Sequence, residues 1–138
     1  MIFLPDTNVF SRFLRGRPED AEMKIRLEES LGACRLSAIV LTELEYGAAK
    51  RPDVPVFRER IARLKRVFPR VEPFGEKAAH HAGFVRALLA NLKPNAQPIG
   101  AYDALLAGQA LALGAVFVTQ NTKEFSRVPG LSVEDWQG

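Results

Sequence analysis

The sequence predicts a three-layer α/β/α sandwich with a short, mainly parallel central sheet, and two observations carry that expectation. Short apolar runs alternate along the whole chain with longer stretches of helical periodicity. Such alternation points to parallel pairing, because parallel strands need crossover helices and covered faces. The 138 residues, 47% hydrophobic and 25% charged, suffice for one buried core and leave no room for a second, so a single domain over 1–138 is expected.

The elements follow in order. Residues 2–5 form an apolar run ending at Asp6, which reads as a strand delivering that acid to its C-terminal edge. Residues 6–14 begin a helix with Val9, Phe10, Phe13 and Leu14 on one side, either core or the wall of a partner groove. Residues 19–31 carry Ala21, Ile25 and Leu31 on a partly apolar face, and Gly32 stops them. A short strand is expected at 34–37, then a helix over 39–50 with Ser37 as N-cap. The stripe Phe57, Ile61, Leu64, Phe68 marks a helix at 54–68. A brief strand at 71–74 precedes a helix over 78–93, read from Phe84, Leu88 and Leu92. Residues 94–100, with two prolines and a glycine, form a loop. Residues 102–113 are apolar nearly all round, the mark of a buried helix; 115–119 is a strand, 121–125 a helical turn, and 131–133 a last strand before Trp136, expected to cap the sheet's flank.

Composition excludes several classes. The longest apolar stretch, 104–118, is broken by Gly108, Gln109 and Gly114 and is too short for a membrane span. The start MIFLPDTN lacks the basic flank and long apolar segment of a signal peptide, so a cytoplasmic protein is expected. Cys34 is the sole cysteine, which removes internal disulfides and Cys-based zinc sites and reads as a small buried hydrophobe. His80 and His81 point about 100° apart on a helix and cannot share a ligand. The net charge is +3, and positive charge concentrates in Arg51, Arg58, Arg60, Arg63, Lys65, Arg66 and Arg70, opposed by Asp53 and Glu59. That segment is either a solvated face or a contact for nucleic acid or an acidic partner.

Functional groups in parallel sheets lie beyond the C-terminal strand ends. Asp6 sits there beside Thr7 and Asn8, although it also suits a helix N-cap. Glu43 shares a helical face with Ile39, Tyr46 and Gly47; among apolar neighbours its carboxylate needs a cation, a proton or a cleft, unless it faces water as Glu45 should. Asp103 opens the most apolar helix, where an acid also complements the helix dipole. After the strand at 115–119, Thr119 leads into Asn121 and Glu124 on one side of a helical turn, with Asn121 a candidate cap. Acids gathered around one crevice repel unless a cation is present. Oxygen ligands without a His or Cys cluster favour Mg²⁺ or Mn²⁺, which suit phosphodiester hydrolysis in a basic chain.

Asp-Thr-Asn at 6–8, Thr-Glu-Leu-Glu-Tyr-Gly at 42–47, Pro-Ile-Gly-Ala-Tyr-Asp at 98–103, Val-Thr-Gln-Asn-Thr-Lys-Glu-Phe at 118–125 and Leu-Ser-Val-Glu-Asp-Trp at 131–136 together resemble PIN-domain ribonucleases, specifically VapC-type toxins. The resemblance implies a metal-dependent endoribonuclease acting on structured RNA such as tRNA or rRNA, with Asp6, Glu43 and Asp103 as the acidic metal cluster. It also implies a homodimer blocked by a cognate VapB-type antitoxin that is acid-rich or Arg-tipped. The fourth acidic position of many PIN domains falls on Asn121, so Glu124, one turn on and able to reach toward Asp103, is expected as the fourth catalytic acid. Thr7, Asn8, Thr119 and Asn121 are the supporting polar groups. Gln120 stands where close relatives often carry Asn, and Pro5 where many carry another apolar residue. A haloacid-dehalogenase-type phosphatase also starts with a strand ending in Asp, but needs a second Asp where Asn8 stands. A non-catalytic PIN-like RNA-binding or partner-binding module is the remaining alternative, and the retention of three acids argues against it.

Overall fold

The computed structural model describes residues 1–91 and 100–137. Strand β1 (Phe3–Pro5) leads into α1 (Thr7–Arg15), and a 3₁₀ turn at Pro18–Asp20 opens α2 (Ala21–Glu29). Strand β2 (Leu36–Ser37) runs into α3 (Ala38–Lys50) and α4 (Pro55–Val67), and β3 (Val71–Glu72) precedes α5 (Glu76–Ala90). Helix α6 (Ala101–Leu113) returns to β4 (Val116–Val118), and α7 (Thr122–Phe125) connects to β5 (Ser132–Glu134). The expected loop at 94–100 lies, apart from Gly100, outside the described residues.

Every strand pair among the described residues is parallel, as the helix-strand alternation demands. One sheet has the order β1-β4-β5, with Leu4 opposite Phe117 and Pro5 opposite Val118. A second, β2-β3, is joined to it by a parallel bridge between Phe3 and Cys34. The strands are shorter than their apolar runs. The expected strand at 71–74 ends at Glu72, because Pro73 has no N–H to give the ladder. At 34–37 only Leu36 and Ser37 form a ladder, with Cys34 reduced to the bridge.

The core lies between sheet and helices, around Leu4, Phe10, Leu36, Val40, Leu106 and Phe117. Edge-to-face rings lock it: Phe10 on Phe68 at 5.4 Å and Phe117 on Phe125 at 5.0 Å. Phe10, Phe13 and Leu14 are buried, which places them in the core, although Leu14 also lines a groove beside α1. Trp136 caps the sheet's flank as expected, with Phe3 against its edge, the Arg26 guanidinium over its ring, and Nε1–H donating to Glu134. Cys34 is buried, and burial pushes its thiol up to about 12, far from a reactive thiolate.

Two helices bury a different face from the one their large apolar residues suggest. In α2 the core residues are Met23 and Leu27, whereas Ile25 is exposed, and the 3₁₀ turn replaces the first turn of the expected helix. In α5 the buried line is Ala78, Ala82, Val85 and Leu89, and Phe84 is half exposed. The reason is close approach to α6: a Cβ placed on Gly108 would lie 2.3 Å from Ala82 Cα. Alanine and glycine let the two backbones nearly touch, so the small-residue face of α5 turns inward and Phe84 is carried outward. Among the described residues no helix is long and apolar enough to cross a membrane.

Candidate active site

Asp6 is placed by the sheet. Its N–H donates to Val118 O at 2.9 Å, continuing the β1-β4 ladder one residue past the strand. Its Oδ1 then accepts from Val9 N at 2.9 Å, capping α1. The expected capping role is observed, and the same carboxylate also lines the cavity beyond the strand end. Burial raises the Asp6 pKa, opposed by the N–H of Val9, the Thr119 hydroxyl, the N–H of Asn8 and the charge of Arg12. Thr119 is itself buried and accepts from Asn121 N at 3.1 Å, which leaves its hydroxyl proton for Asp6.

Glu43 is placed by α3, whose N-cap is Ser37, with Oγ accepting from Ile39 N. The Thr7 hydroxyl donates to Glu43 Oε1, tying α3 to the start of α1. Burial raises the Glu43 pKa, the Thr7 hydroxyl opposes it, and the negative charge of Asp6 adds to it. The shared face is not the one expected: Tyr46 is 60% exposed with the Lys50 ammonium over its ring, whereas Glu43, Leu44 and Gly47 face α1 and α4. Helical geometry explains this, since Leu44, Gly47 and Ala48 lie on the other side of Glu43 from Tyr46. Glu45 faces water, as expected, and pairs there with Arg58.

Asp103 stands in the first turn of α6. Its pKa is pushed up to about 6, first by burial, then by the charge of Asp6, then by that of Glu43. The three acids thus sense one another across one cavity of about 400 Å³. Thr7, Asn8, Thr119 and Asn121 also line it, all anticipated from the sequence.

Ser11 and Gln120 line it too, and neither was expected to. Ser11 follows Thr7 by four residues, a spacing that could have revealed it. Gln120 Oε1 accepts from Asn8 Nδ2 at 3.1 Å and from Arg12 at 3.4 Å, while Arg12 pairs with the buried Asp20 at 3.2 Å. That network joins α1 to the segment after β4, and no local pattern announces it.

Glu124 does not line the cavity. It sits on α7 with the Arg127 guanidinium 3.8 Å away, and its shielded Oε2 makes no hydrogen bond among the described residues. Asn121 occupies the N-cap position of α7 but makes no side-chain capping bond, so the capping role suggested for it fails, and it is among the residues that line the cavity. The local chain geometry decides this, since Asn121 immediately follows the residues that close the sheet edge.

The donor chemistry fits a hard divalent cation: three carboxylates and neutral oxygens, with all three acids raised by burial, Glu43 further by the charge of Asp6 and Asp103 further by the charges of Asp6 and Glu43. Among the described residues, no three His, Cys, Asp or Glu side chains are drawn into a ready-made metal cage. A cation here would therefore complete its shell with water, as Mg²⁺ commonly does. A stability prediction follows from the raised carboxyls. A raised folded pKa gives stability that is present below the ordinary value, 3.8 for Asp103, and is lost as pH rises through about 6. Allowing for water screening at the cavity mouth, Asp103 should lower metal-free stability by about 1–2 kcal/mol between pH 4 and 7.5. Mn²⁺ should raise the melting temperature at pH 7.5 and leave it unmoved at pH 4; equal shifts at both pH values would contradict the assignment.

The parallel α/β sheet with acids converging beyond its strand ends is that of a PIN domain: that family matches residues 3–131, and the chain belongs to it as a ribonuclease of the VapC type. It is 37% identical over 138 residues to the tRNA(fMet)-specific endonuclease VapC of Salmonella typhimurium, covering 97% of each chain. It is 31% identical to ribonuclease VapC2 of Rickettsia felis, covering 99% of this chain and 98% of that one. Its backbone is similar to that in the crystal structure of VapBC2 from Rickettsia felis bound to a promoter DNA fragment, with a TM-score of 0.82, 29% identity and 99% of both chains covered.

Proposed function

We propose that the chain is the toxin of a toxin-antitoxin pair, a divalent-metal-dependent endoribonuclease that hydrolyses phosphodiester bonds of structured RNA, tRNA or rRNA, and is held inactive by a VapB-type antitoxin. The observation that carries this reading is the convergence of Asp6, Glu43 and Asp103 on one open cavity, with all three carboxyl pKa values raised, first by burial. Asp6, Glu43 and Asp103 would hold Mg²⁺ or Mn²⁺, which supplies Lewis acidity to activate water and offset phosphate charge. The chain's own groups set the geometry. Val9 N–H and the Thr119 hydroxyl orient Asp6, the Thr7 hydroxyl orients Glu43, and the Asn8–Gln120–Arg12 contacts hold the rim. In the fourth position Asn121 offers a neutral oxygen or holds a water, while Glu124 would have to leave Arg127 to serve.

A groove of about 290 Å³ continues from the cavity between α1, α3 and α4. It shares Thr7, Ser11 and Glu43 with the site, has an apolar floor that includes Leu44, Phe57 and Ile61, and carries Arg15 and Arg60. An apolar floor rimmed by guanidinium groups supports an antitoxin segment bearing acids, in keeping with the VapBC assemblies among similar structures. A homodimer belongs to the same reading. Arg63 is partly committed inside the molecule, over Phe13 and toward Leu14 O, which leaves Arg60, Lys65 and Arg66 as the better candidates for phosphate contacts.

The test is cleavage of a purified tRNA and rRNA pool with mapping of the new ends. Wild type with Mg²⁺ should produce discrete ends that vanish with chelator and with Asp6→Asn, a variant whose amide oxygen can still cap α1. RNA binding by the wild type without cleavage in either Mg²⁺ or Mn²⁺ would favour the non-catalytic module.

A further inference from the structure

Gln109 lies in the middle of α6, the most apolar helix of the chain, and is 1% exposed. A buried amide is costly unless all its hydrogen-bonding groups are satisfied, so a leucine would be the cheaper residue there if filling space were the only task. Gln109 is fully engaged. Its Nε2 donates to Pro73 O at 3.0 Å and Glu72 O at 3.3 Å, and its Oε1 accepts from Ser37 Oγ at 2.5 Å.

Chemistry fixes which way the amide points. The two carbonyls can only accept, so the NH₂ must face them and the oxygen must face Ser37. Ser37 Oγ meanwhile accepts from Ile39 N at 3.0 Å, so its proton is free for Gln109. Ser37 is wholly buried, ends β2, pairs in register with Glu72 and caps α3. One amide thus binds α6 to the ends of β2 and β3 and to the first turn of α3.

The acids stand symmetrically about this clamp. Glu43 is six residues beyond Ser37 on α3, and Asp103 is six residues before Gln109 on α6, roughly 9 Å along each helix. The two helices pack against each other. We infer that Gln109 is a positioning residue of the active site: through Ser37 it fixes the separation of Glu43 and Asp103 and so sets the affinity of the site for a divalent cation. The inference rests on the metal-binding reading of the three acids.

The test uses Gln109→Met, close in size and without the amide, together with Ser37→Ala and Ser37→Thr, the last keeping the hydroxyl. Mn²⁺ binding is followed from the electron paramagnetic resonance of the free ion, at a temperature well below every variant's melting point. Gln109→Met and Ser37→Ala should each weaken Mn²⁺ binding by about 10-fold, the double variant by little more than either, and Ser37→Thr by less than about twofold. Cleavage by Gln109→Met should recover at high Mn²⁺, so that the metal requirement rises while kcat is kept. A melting temperature that falls with Mn²⁺ affinity unchanged would make the clamp merely structural and overturn the inference. If Gln109→Met does not fold, the Ser37 pair decides alone. If wild type itself binds no Mn²⁺, the metal reading fails; the clamp is then judged from crystal structures of wild type and Gln109→Met, where an unchanged Glu43–Asp103 separation overturns it.

Discussion

Asp103→Asn is expected to abolish RNA cleavage and to raise the melting temperature of the metal-free protein at pH 7.5. The two effects have one cause. Asp103 is partly buried beside two other acids, and its pKa of about 6 records a charged form that the fold disfavours. Asparagine has nearly the same shape without the charge, so the folded state gains what burial of the charge, and then its repulsion by Asp6 and Glu43, had cost. After allowance for water at the cavity mouth this is about 1–2 kcal/mol, or roughly 3–8 °C for a chain of this size. The same charge is what would hold a cation and stabilise a phosphoryl transition state, so cleavage should drop by about 10²–10³-fold or more. Activity is measured on RNA with Mg²⁺ or Mn²⁺, and stability by thermal unfolding with chelator. A variant that cleaves like wild type removes Asp103 from the site; one that merely melts lower shows that the carboxylate supports the fold.

Gly108→Ala should be the most damaging single methyl in the protein. In an exposed helix interior, replacing glycine by alanine favours folding by about 1 kcal/mol. Here the new Cβ would stand 2.3 Å from Ala82 Cα and 2.4 Å from Ala82 N, both backbone atoms of α5 that cannot turn aside. Helices α5 and α6 would have to separate along their contact, opening the core around Val85, Leu89 and Ala107. A loss of about 3 kcal/mol or more is expected, at or beyond the upper end for overpacking. Gly83→Ala supplies the control, because nothing lies within 4 Å of a Cβ there, and it should be neutral or stabilising by up to about 1 kcal/mol. Chemical denaturation of both variants distinguishes the outcomes, and equal stability at the two positions would mean that the helices can part without cost.

Much of this molecule is local and therefore readable from the chain alone. The apolar run before Asp6, the Ser37 cap and the order of helices and strands follow from periodicity and capping, which depend on neighbours within a turn, whereas Asp6, Glu43 and Asp103 are joined as one set only by the resemblance of their motifs to a family. What the tertiary structure decided is which side of each element meets another. Periodicity marks a helix, but the large residue Phe84 outweighs Ala82 in any apolar stripe, and only the presence of Gly108 across the contact makes the small face the buried one. Tyr46 is turned outward because α1 and α4 occupy the other side of α3. Asn121 rather than Glu124 meets the cavity because the turn after β4 aims them differently, and a spacing of three cannot tell which is aimed inward. The Gln109 clamp and the Arg12–Asp20–Gln120 contacts join residues far apart in the chain, so no window of sequence contains both partners. The raised pKa of Asp103 is the same kind of fact: charge and burial act through space, and the distances that govern them exist only once the strands have set the helices side by side.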